Sequence, residues 1–314
     1  MVIGLGTAAL GRPQYINIKQ DVAEELDLQA FKKNGFKVLE EAYEQGIRYF
    51  DTAPGYGLAE QLLIEWLQTK SDPTITVATK WGYTYMANFD PNAKVHEIKE
   101  HSVSKLIEQW EVSQTLLPYL SVYQIHSASF ETGVLDNQEV LNKLASLKND
   151  NNLKIGLTTT GDNQSEVIEK AANIQVSGVP LFEVFQSTYN ILDQSILNVA
   201  LELIKEGRQF VLKETLANGR LFPNKNYPNY KELYDYMEKL STKYNIGVDA
   251  IALKFCIQTF PESLVLSGAN KTSQLLENLN ANTFSLSNEE VSQLATFKVL
   301  PSNYWQERKQ LTWH

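Results

Sequence analysis

Four polar side chains follow apolar segments and could together transfer a proton: Asp51 and Tyr56 in FDTAPGYG, Lys80 in VATKWG and His126 in YQIHS. The phenol of tyrosine has an ordinary pKa of about 10, too high for efficient proton exchange near neutral pH. A neighbouring ammonium group stabilises phenolate, and Lys80 could supply that charge. Asp51 could hold the lysine in place, and His126 could donate a hydrogen bond to a carbonyl oxygen or complete the proton path.

Each of these residues also has a structural interpretation, as an ion pair, a satisfied polar histidine or a packed loop aromatic. Chemistry is favoured because all four occur together, and a separate structural cause would be needed for each. The other histidines, His96, His101 and His314, are predicted to lie on the surface. No two histidines have the spacing of metal ligands on a helix, and no Gly-x-Ser-x-Gly motif is present, so neither a metal site nor a serine hydrolase is predicted.

The elements that must position these residues are eight short β-branched or aromatic segments separated by amphipathic ones. The segments are too apolar to have one face in water, which predicts parallel strands covered on both sides. The predicted strands are Val2–Thr7, Ile47–Asp51, Ile75–Thr79, Ser121–Ile125, Lys154–Thr158, Leu181–Gln186, Gln209–Lys213 and Leu264–Ser267.

Ten amphipathic segments are predicted to form helices. They are Asn34–Gln45, Leu58–Gln68, Lys99–Leu117, Asn137–Asn149, Gln164–Ala172, Ser195–Glu206, Lys231–Tyr244, Val248–Phe260, Thr272–Ala281 and Ser287–Thr296. Asp193, Thr272 and Ser287 are predicted N-caps, and Glu290 has the spacing to complete a capping box with Ser287.

Eight alternations of strand and helix are typical of a closed (β/α)8 TIM barrel, whereas a doubly wound sheet usually has fewer strands. We therefore predict an α/β protein with a single barrel domain over residues 1–314. The alternative is a dinucleotide-binding sheet with a second domain. Gly4-Leu5-Gly6 begins the glycine pattern of such a sheet, but no helix is expected at Ala9 because Gly11-Arg12-Pro13 follows.

Composition limits the binding partners and the cellular compartment that we expect for this protein. The net charge of −9 disfavours binding to nucleic acid. Cys256 is the single cysteine and is predicted to be a buried, inert thiol, which fits a reducing cytoplasm. MVIGLGTAALGRPQY lacks the features of a signal peptide, and no segment has about 18 consecutive apolar residues. We expect a cytoplasmic monomer or weak homo-oligomer without a membrane partner.

In order and spacing, these motifs resemble the aldo-keto reductase superfamily. DTAPGYGLAE is the most specific match, followed by ATK, QIH, FQSTYN and SGANKTSQLLENL, and the likeness runs from GLGTAALGR to ENLNA. The resemblance implies a barrel that carries out NAD(P)-dependent carbonyl reduction, or the reverse oxidation, without metal. It also implies that Tyr56 is the general acid in reduction, that Lys80 lowers its pKa, that Asp51 supports Lys80 and that His126 is the orienting donor.

The same resemblance places the nicotinamide carboxamide against Thr158, Thr159 and Gln186. Threonines stand here where the family usually has serine and asparagine, so a hydroxyl replaces an amide at position 159. Lys213 stands where the family commonly has an aromatic residue stacked on the nicotinamide. A protonated Lys213 would favour the neutral, reduced cofactor. Alternatively, its stem packs beside the ring while the ammonium reaches a phosphate or carboxylate.

The resemblance also places the cofactor phosphates against the backbone of two loops. Their residues include Leu216, Asn218, Gly219 and Arg220 in the first loop, and Gly268, Asn270 and Lys271 in the second. Glu277 and Asn278 match the pair that contacts adenine. Gln274 stands where many members have an arginine for the 2′-phosphate, and Lys271 could replace that charge. We expect NADP, with NAD as the alternative.

Aromatic residues follow the predicted strands and could form a rim around a carbonyl compound or sugar. Trp81, Tyr83, Phe130 and Trp305 are the predicted substrate contacts, and Trp313 is predicted to be packing. Such aromatics could equally seal the barrel. The predicted activity is interconversion of an aldehyde, ketone or sugar lactol or lactone with its partner alcohol. The alternatives are a redox-sensing regulatory subunit with little turnover and a barrel isomerase that binds no NAD(P).

Overall fold

Eight parallel strands close into a barrel in the computed structural model, which describes residues 2–12, 27–90 and 93–311. Each strand pairs with the next along the chain, and the last pairs with the first. In chain order the strands are β1 Ile3–Gly6, β2 Tyr49–Asp51, β3 Thr76–Trp81, β4 Leu120–Ala128, β5 Lys154–Thr159, β6 Phe182–Thr188, β7 Gln209–Lys213 and β8 Leu264–Ser267. All eight correspond to predicted segments, and the predicted (β/α)8 fold is confirmed.

The ten predicted helices are present, two of them with the predicted ends and the others with shifted ends. Their bounds are Leu28–Glu44, Ala59–Leu67, Val103–Ser113, Gln138–Asn151, Gln164–Ala172, Leu197–Lys205, Lys231–Tyr244, Val248–Thr259, Thr272–Leu279 and Asn288–Ala295. The first helix begins before its predicted start, at Leu28. The third begins after its predicted start, because Lys99 instead ends a strand, Glu97–Lys99, which pairs antiparallel with Tyr83–Tyr85. A second small antiparallel pair joins Gln175–Val176 to Val179–Pro180.

Two α-helices of the described residues were not predicted. A single turn spans Ala8–Gly11, where the sequence predicted no helix, because the carbonyl of Thr7 accepts hydrogen bonds from the amides of both Leu10 and Gly11. The other helix is Pro301–Gln310, which begins with proline at a position that tolerates it. It has only two buried residues, so its sequence carries little amphipathic signal.

One of the three predicted N-caps is confirmed. The hydroxyl of Ser287 accepts from the amide of Glu290, whose carboxylate accepts from the amide of Ser287, as in a capping box. Thr272 is instead the first helical residue, after Lys271. Asp193 precedes its helix by several residues and accepts a hydrogen bond from the amide of Ser195.

Two layers of apolar packing support the barrel. The larger lies between strands and helices and includes Cys256, which is fully buried as predicted; burial raises the pKa of its thiol. The smaller consists of the strand residues Tyr49, Ala78, Val122, Val184, Val211 and Leu266. A cavity of 520 Å³ opens where the strands begin, and none of the predicted site residues lines it.

Trp313 and His314 lie outside the described residues. Within the described part of the chain, no helix is both long and apolar enough to cross a membrane.

Candidate active site

A buried ion pair lies at the carboxyl ends of β2 and β3. Nζ of Lys80 donates to Oδ1 of Asp51 at 2.5 Å and to the carbonyl of Thr52 at 2.9 Å. The other carboxylate oxygen, Oδ2, accepts from Nε2 of Gln186 at 2.7 Å. Because Asp51 and Lys80 are both almost completely buried, each charge depends on these partners for stabilisation.

Tyr56 ends the 3-10 turn that follows β2, and the loop after β1 holds that turn in place. The carbonyl of Gly11 accepts from the amide of Leu58 at 2.8 Å. A Cβ at Gly11 would lie 2.0 Å from the carbonyl oxygen of Tyr56, so this close approach requires glycine. The ring centroid of Tyr56 lies 4.8 Å from Nζ of Lys80 and 5.5 Å from Cζ of Arg12.

The phenol of Tyr56 is buried among charged groups that shift its pKa. Burial raises the pKa of its phenol well above the ordinary value, the charge of Asp51 raises it further, and Arg12 opposes this only in part. The net direction is opposite to the lowering that the resemblance implied, because burial and Asp51 outweigh the opposing charge; the contribution of Lys80 itself stays a prediction. A phenol with a raised pKa remains protonated at neutral pH, which is the form that can donate a proton.

His126 lies on β4 beside the phenol. Its Nε2 is 3.5 Å from the hydroxyl oxygen of Tyr56, and its ring meets the ring of Tyr83 edge-on with centroids 4.7 Å apart. Burial lowers the pKa of His126 well below the ordinary value, and the nearby cations Lys80 and Arg12 lower it further. The imidazole is therefore neutral at neutral pH and offers one donor and one acceptor.

His101 is buried, so its predicted surface location is wrong. Its Nε2 donates to the carbonyl of His126 at 2.9 Å, and its Nδ1 is 3.0 Å from Oγ1 of Thr132. Gly82 permits this packing, because it has φ +111° and a Cβ there would lie 2.3 Å from Cδ2 of His101. His96 is half-buried. Contacts between loops leave no periodic signal in the sequence, which explains why His101 was assigned to the surface.

A cavity of 160 Å³ opens at this end of the barrel. Six of its lining residues were predicted site residues: Tyr56, Tyr83, His126, Thr158, Gln186 and Lys213. Six were not: Arg12, Glu97, Ser127, Thr160, Glu214 and Arg308. The structure therefore brings together the predicted proton-transfer groups and part of the predicted cofactor site.

Two ion pairs account for four of the lining residues that were missed. Nη1 of Arg12 lies 2.9 Å from Oε2 of Glu97. Arg308 contacts Glu214 through two nitrogens, with Nε 3.0 Å from each carboxylate oxygen and Nη2 2.5 Å from Oε1. Glu214 follows β7 directly, so its position at a strand end was an available signal. Arg308 comes from the unpredicted helix Pro301–Gln310 and had no such signal.

Two of the three residues predicted to hold the carboxamide line the cavity. Thr158 accepts from the amide of Ser127 at 2.7 Å, and Gln186 bonds Asp51 as described above. Thr159 is different, because its buried hydroxyl lies 2.7 Å from Oγ of Ser187 and 3.3 Å from Oε1 of Gln164. The geometry therefore does not place Thr159 with the other two.

Lys213 ends β7 and faces the cavity. Its Nζ donates to Oγ1 of Thr188 at 3.2 Å. Burial lowers the pKa of Lys213 to about 8, although the charge of Glu214 opposes that shift. The side chain is thus a partly buried cation in the position where the resemblance implied an aromatic ring.

The first predicted phosphate loop has an unusual backbone. Ala217, Asn218 and Gly219 all have positive φ, at 49°, 56° and 88°. Leu216 precedes this turn and is half-buried. Arg220 follows it, but its buried guanidinium donates to the carbonyl oxygens of Ala217 and Tyr304 and pairs with Glu307 at 3.3 Å. That side chain therefore holds the C-terminal helix against this turn through Nε and Nη1.

The second loop combines an open glycine with the start of a helix. Gly268 is exposed, and a Cβ there would meet nothing within 4 Å. Helix Thr272–Leu279 begins just after Lys271, and no side chain caps it. Uncapped amides at the start of a helix suit an anion, and the exposed Lys271 adds positive charge.

The three residues predicted to lie near the adenosine part of the cofactor differ in exposure and in their contacts. Oε1 of Gln274 accepts from the amide of Asn270 at 3.1 Å, so this side chain braces the loop. Glu277 is exposed, whereas Asn278 is buried and donates to Oγ of Ser267 at 2.8 Å. Asn278 therefore supports the end of β8 in this structure.

Only Tyr83 of the four predicted substrate contacts lines the cavity. Trp81 is fully buried and packs edge-on against His101, with centroids 5.4 Å apart. Trp305 is also buried and donates to Asp193 at 3.1 Å. Phe130 is 43% exposed but lies outside the cavity lining. Two of the four residues predicted to form the aromatic rim, Trp81 and Trp305, are therefore packing residues.

The comparisons with known proteins agree with this fold. The sequence model described as the aldo/keto reductase family matches residues 2–298. The NADH-specific methylglyoxal reductase of Escherichia coli is 24% identical over 92% of this chain and 92% of its own length. The aryl-alcohol dehydrogenase [NADP(+)] of Phanerodontia chrysosporium is 22% identical, over 83% and 74%.

Solved structures show the same barrel. The glycerol dehydrogenase of Gluconobacter oxydans superposes with a TM-score of 0.71 at 22% identity, over 94% of this chain and 90% of its own. At that identity the superposition shows the fold alone. Because the family model covers nearly the whole chain, the protein belongs to the aldo/keto reductase family of NAD(P)-dependent oxidoreductases.

Proposed function

We propose that this enzyme interconverts an aldehyde, ketone or sugar lactol or lactone with its partner alcohol. The observation that carries the proposal is the pairing of a protonated phenol, Tyr56, with a neutral imidazole, His126, 3.5 Å apart at one cavity. The nicotinamide cofactor, when bound, supplies hydride to the carbonyl carbon or accepts it in the reverse direction.

Tyr56 gives the proton from its hydroxyl to the carbonyl oxygen as negative charge develops there. Because burial makes phenolate costly, the anion left on Tyr56 needs a nearby positive charge. Lys80 lies 4.8 Å from the ring centroid and is held by Asp51 and the carbonyl of Thr52. The buried ion pair thus has a fixed geometry before the substrate arrives.

His126 orients the substrate. A neutral imidazole with one ring N–H can donate to the carbonyl oxygen without competing for the proton of Tyr56. Its position is fixed by Tyr83, which packs edge-on against the ring, and by His101, which donates to its backbone carbonyl. Thr158 and Gln186 remain in the lining to hold the carboxamide of the cofactor.

For the cofactor we propose a preference for NADPH, with NADH also accepted. Lys271 beside the uncapped helix supports binding of a 2′-phosphate, while Gln274 adds no charge. The names of the two relatives divide between the cofactors. Fluorescence titration with each reduced cofactor tests the preference, and Lys271→Gln is expected to weaken binding of NADPH more than that of NADH. Tight binding of NADH without binding of NADPH would overturn this preference.

The proposed activity is tested with a panel of aldehydes, ketones and aldoses while the absorbance of reduced nicotinamide is followed. Tyr56→Phe is expected to lower kcat by about 10²- to 10⁴-fold on a substrate found this way. The matched control is Tyr43→Phe, which removes a phenol that bonds Asp72 outside the cavity lining. Full turnover by Tyr56→Phe would show that Tyr56 is not the proton donor, and tight NAD(P)H binding without turnover on any substrate would contradict the proposed reaction.

A further inference from the structure

A second cation lies beside the phenol of Tyr56. Arg12 follows the single turn Ala8–Gly11, and its Cζ lies 5.5 Å from the centroid of the Tyr56 ring. Both side chains line the 160 Å³ cavity. Nη1 of Arg12 lies 2.9 Å from Oε2 of Glu97, which belongs to the short strand Glu97–Lys99. The cavity that holds the phenol therefore receives one charge of each sign from this ion pair.

The two charges of this pair are screened by solvent to different degrees. The side chain of Arg12 is 4% exposed, whereas that of Glu97 is 29% exposed. Solvent weakens the field of an exposed charge more than that of a buried one. Burial and Asp51 raise the pKa of Tyr56 most, and Arg12 then lowers it by more than Glu97 raises it. As a whole, the Arg12–Glu97 pair therefore favours the anionic form of the phenol.

Other charged groups also surround the phenol. Asp51 holds the ammonium of Lys80 at 2.5 Å, so these two charges offset each other. Besides burial and Asp51, the carboxylate of Glu214 also raises the pKa of the phenol. The remaining titratable or charged groups of the described lining are Tyr83, His126, Lys213 and Arg308. In these surroundings the charge of Arg12 acts in the direction that the proposed proton transfer requires.

We propose that the guanidinium of Arg12 assists the reaction by stabilising the negative charge that the departing proton leaves on Tyr56. In this step the O–H bond of the phenol breaks as the O–H bond of the alcohol forms, so the electron pair stays on the phenol oxygen. Arginine remains charged throughout the pH range in which enzymes work. Arg12 is a positioning residue, since it acts on the reaction through Tyr56. This inference rests on the proposed carbonyl reduction.

A purely structural ion pair would behave differently. If Arg12 and Glu97 only held the loop after β1 against the strand Glu97–Lys99, loss of either partner would slow the reaction. The proposed role instead predicts opposite effects. Arg12→Met removes a charge that favours the anion, whereas Glu97→Gln removes a charge that opposes it. The signs of the two effects therefore distinguish the two roles.

Single-turnover kinetics measure the effect on the chemical step. Enzyme premixed with NADPH is mixed at pH 7 with a carbonyl compound that the wild type reduces, and the oxidation of NADPH is followed. We expect Arg12→Met to lower the rate constant about tenfold, the effect of one unit charge at this range in a partly screened site. Arg12→Lys, which keeps the charge, should retain most of the rate constant, and Glu97→Gln should raise it about twofold.

Arg48→Met is the matched control. Arg48 lies over the ring of Tyr43 at 4.0 Å and pairs with Asp72 at 3.0 Å, outside the lining of this cavity. The rate constant of this variant should equal that of the wild type. Circular dichroism and the dissociation constant of NADPH are measured for every variant, so that misfolding and loss of cofactor are recognised. If Arg12→Met does not fold, the direction of the effect of Glu97→Gln decides.

A direct titration of the phenol does not depend on turnover. A difluorinated tyrosine, placed site-specifically at position 56 of the full chain, ionises at a lower pH than tyrosine does, and fluorine NMR follows its ionisation. We expect Arg12→Met to raise the pKa of this phenol and Glu97→Gln to lower it. Arg48→Met should leave the titration unchanged.

The outcomes separate the two proposals. Lower rate constants in both Arg12→Met and Glu97→Gln, with the titration at position 56 unmoved, overturn the inference and leave the proposed function in place. Equal rate constants for the wild type and Arg12→Met also overturn the inference. Failure of the wild type to reduce any carbonyl of the panel overturns the proposed function, and the titration then decides whether Arg12 stabilises the anion of Tyr56.

Discussion

Nε2 of Gln186 donates a hydrogen bond of 2.7 Å to Oδ2 of Asp51, across 135 residues of sequence. Oδ1 of the same carboxylate accepts from Lys80. Side chains from β6 and β3 therefore occupy both oxygens of one buried acid on β2. This arrangement fixes the ammonium beside Tyr56, so Gln186 acts on the site through Asp51 as well as by lining the cavity.

Replacement of Gln186 by leucine is expected to destabilise the protein. The change leaves one oxygen of the Asp51 carboxylate without its donor in a buried environment, at a cost of about 1–3 kcal/mol in the free energy of unfolding. Urea unfolding measures this cost. Gln293→Leu on an exposed helical position is the control, for which a change within about 0.5 kcal/mol is expected. Equal effects of the two substitutions would show that the bond to Asp51 contributes nothing.

The Asp51–Lys80 pair is expected to show strong coupling in a double-mutant cycle. Asp51→Asn alone leaves a fully buried ammonium unpaired and is expected to cost about 3–5 kcal/mol, as is Lys80→Met for the carboxylate. The double variant leaves no unpaired charge, so its cost should be well below the sum of the two. Additive costs in urea unfolding would contradict the buried pairing. Asp235→Asn, which breaks the exposed pair with Lys231, should cost less than about 1 kcal/mol.

The barrel itself could be predicted from the sequence. Gln209–Lys213, Leu264–Ser267, Gln164–Ala172 and Lys231–Tyr244 have the same ends in the prediction and in the structure. The reason is physical, because strands covered on both faces are continuously apolar, and helices packed on them show one apolar face. Because the carboxyl ends of the parallel strands meet at one end of the barrel, the polar residues that follow them lie together there.

Direction along a strand explains why Trp81 and Thr159 do not line the cavity. Side chains of successive strand residues point to opposite faces, so Lys80 and Trp81 cannot both face the barrel mouth, and neither can Thr158 and Thr159. Trp81 and Thr159 are accordingly buried outside the cavity lining. This alternation was available in the sequence. The position of Arg308 could not be predicted in this way, because it depends on how the C-terminal helix docks. Arg308 contacts Glu214, which lies 94 residues earlier in the sequence.

The pH profile of reduction should be flat around neutrality. Reduction needs Tyr56 protonated, and burial keeps its pKa well above the ordinary value, while the pKa of His126 is held well below its own. With glyceraldehyde, a neutral substrate, kcat is expected to vary less than about twofold between about pH 6 and about pH 9. A tenfold fall per pH unit inside that range would show that the phenol ionises there.

The stability of the protein should fall on mild acidification because of His101. Burial lowers the pKa of this imidazole from 6.5 to about 4. Between these values the unfolded chain binds a proton at this position and the native protein does not. Above about pH 6.5, His101 therefore makes its full contribution to the free energy of unfolding. This contribution, about 3 kcal/mol in all, is lost as the pH falls toward 4.

His101→Gln is expected to remove this part of the pH dependence. Urea unfolding at pH 7 and pH 4.5 gives the loss for each protein, and the variant should lose about 2–3 kcal/mol less than the wild type between these conditions. Part of the loss will remain, because the pKa of His126 is lowered in the same direction. Gln293→Leu, at an exposed helical position, is the control and should retain the wild-type loss. If His101→Gln lost as much stability on acidification as the wild type, His101 would have to be protonated in the native protein at pH 4.5. Its hydrogen bond to the carbonyl of His126 would then be made by an imidazolium at that pH.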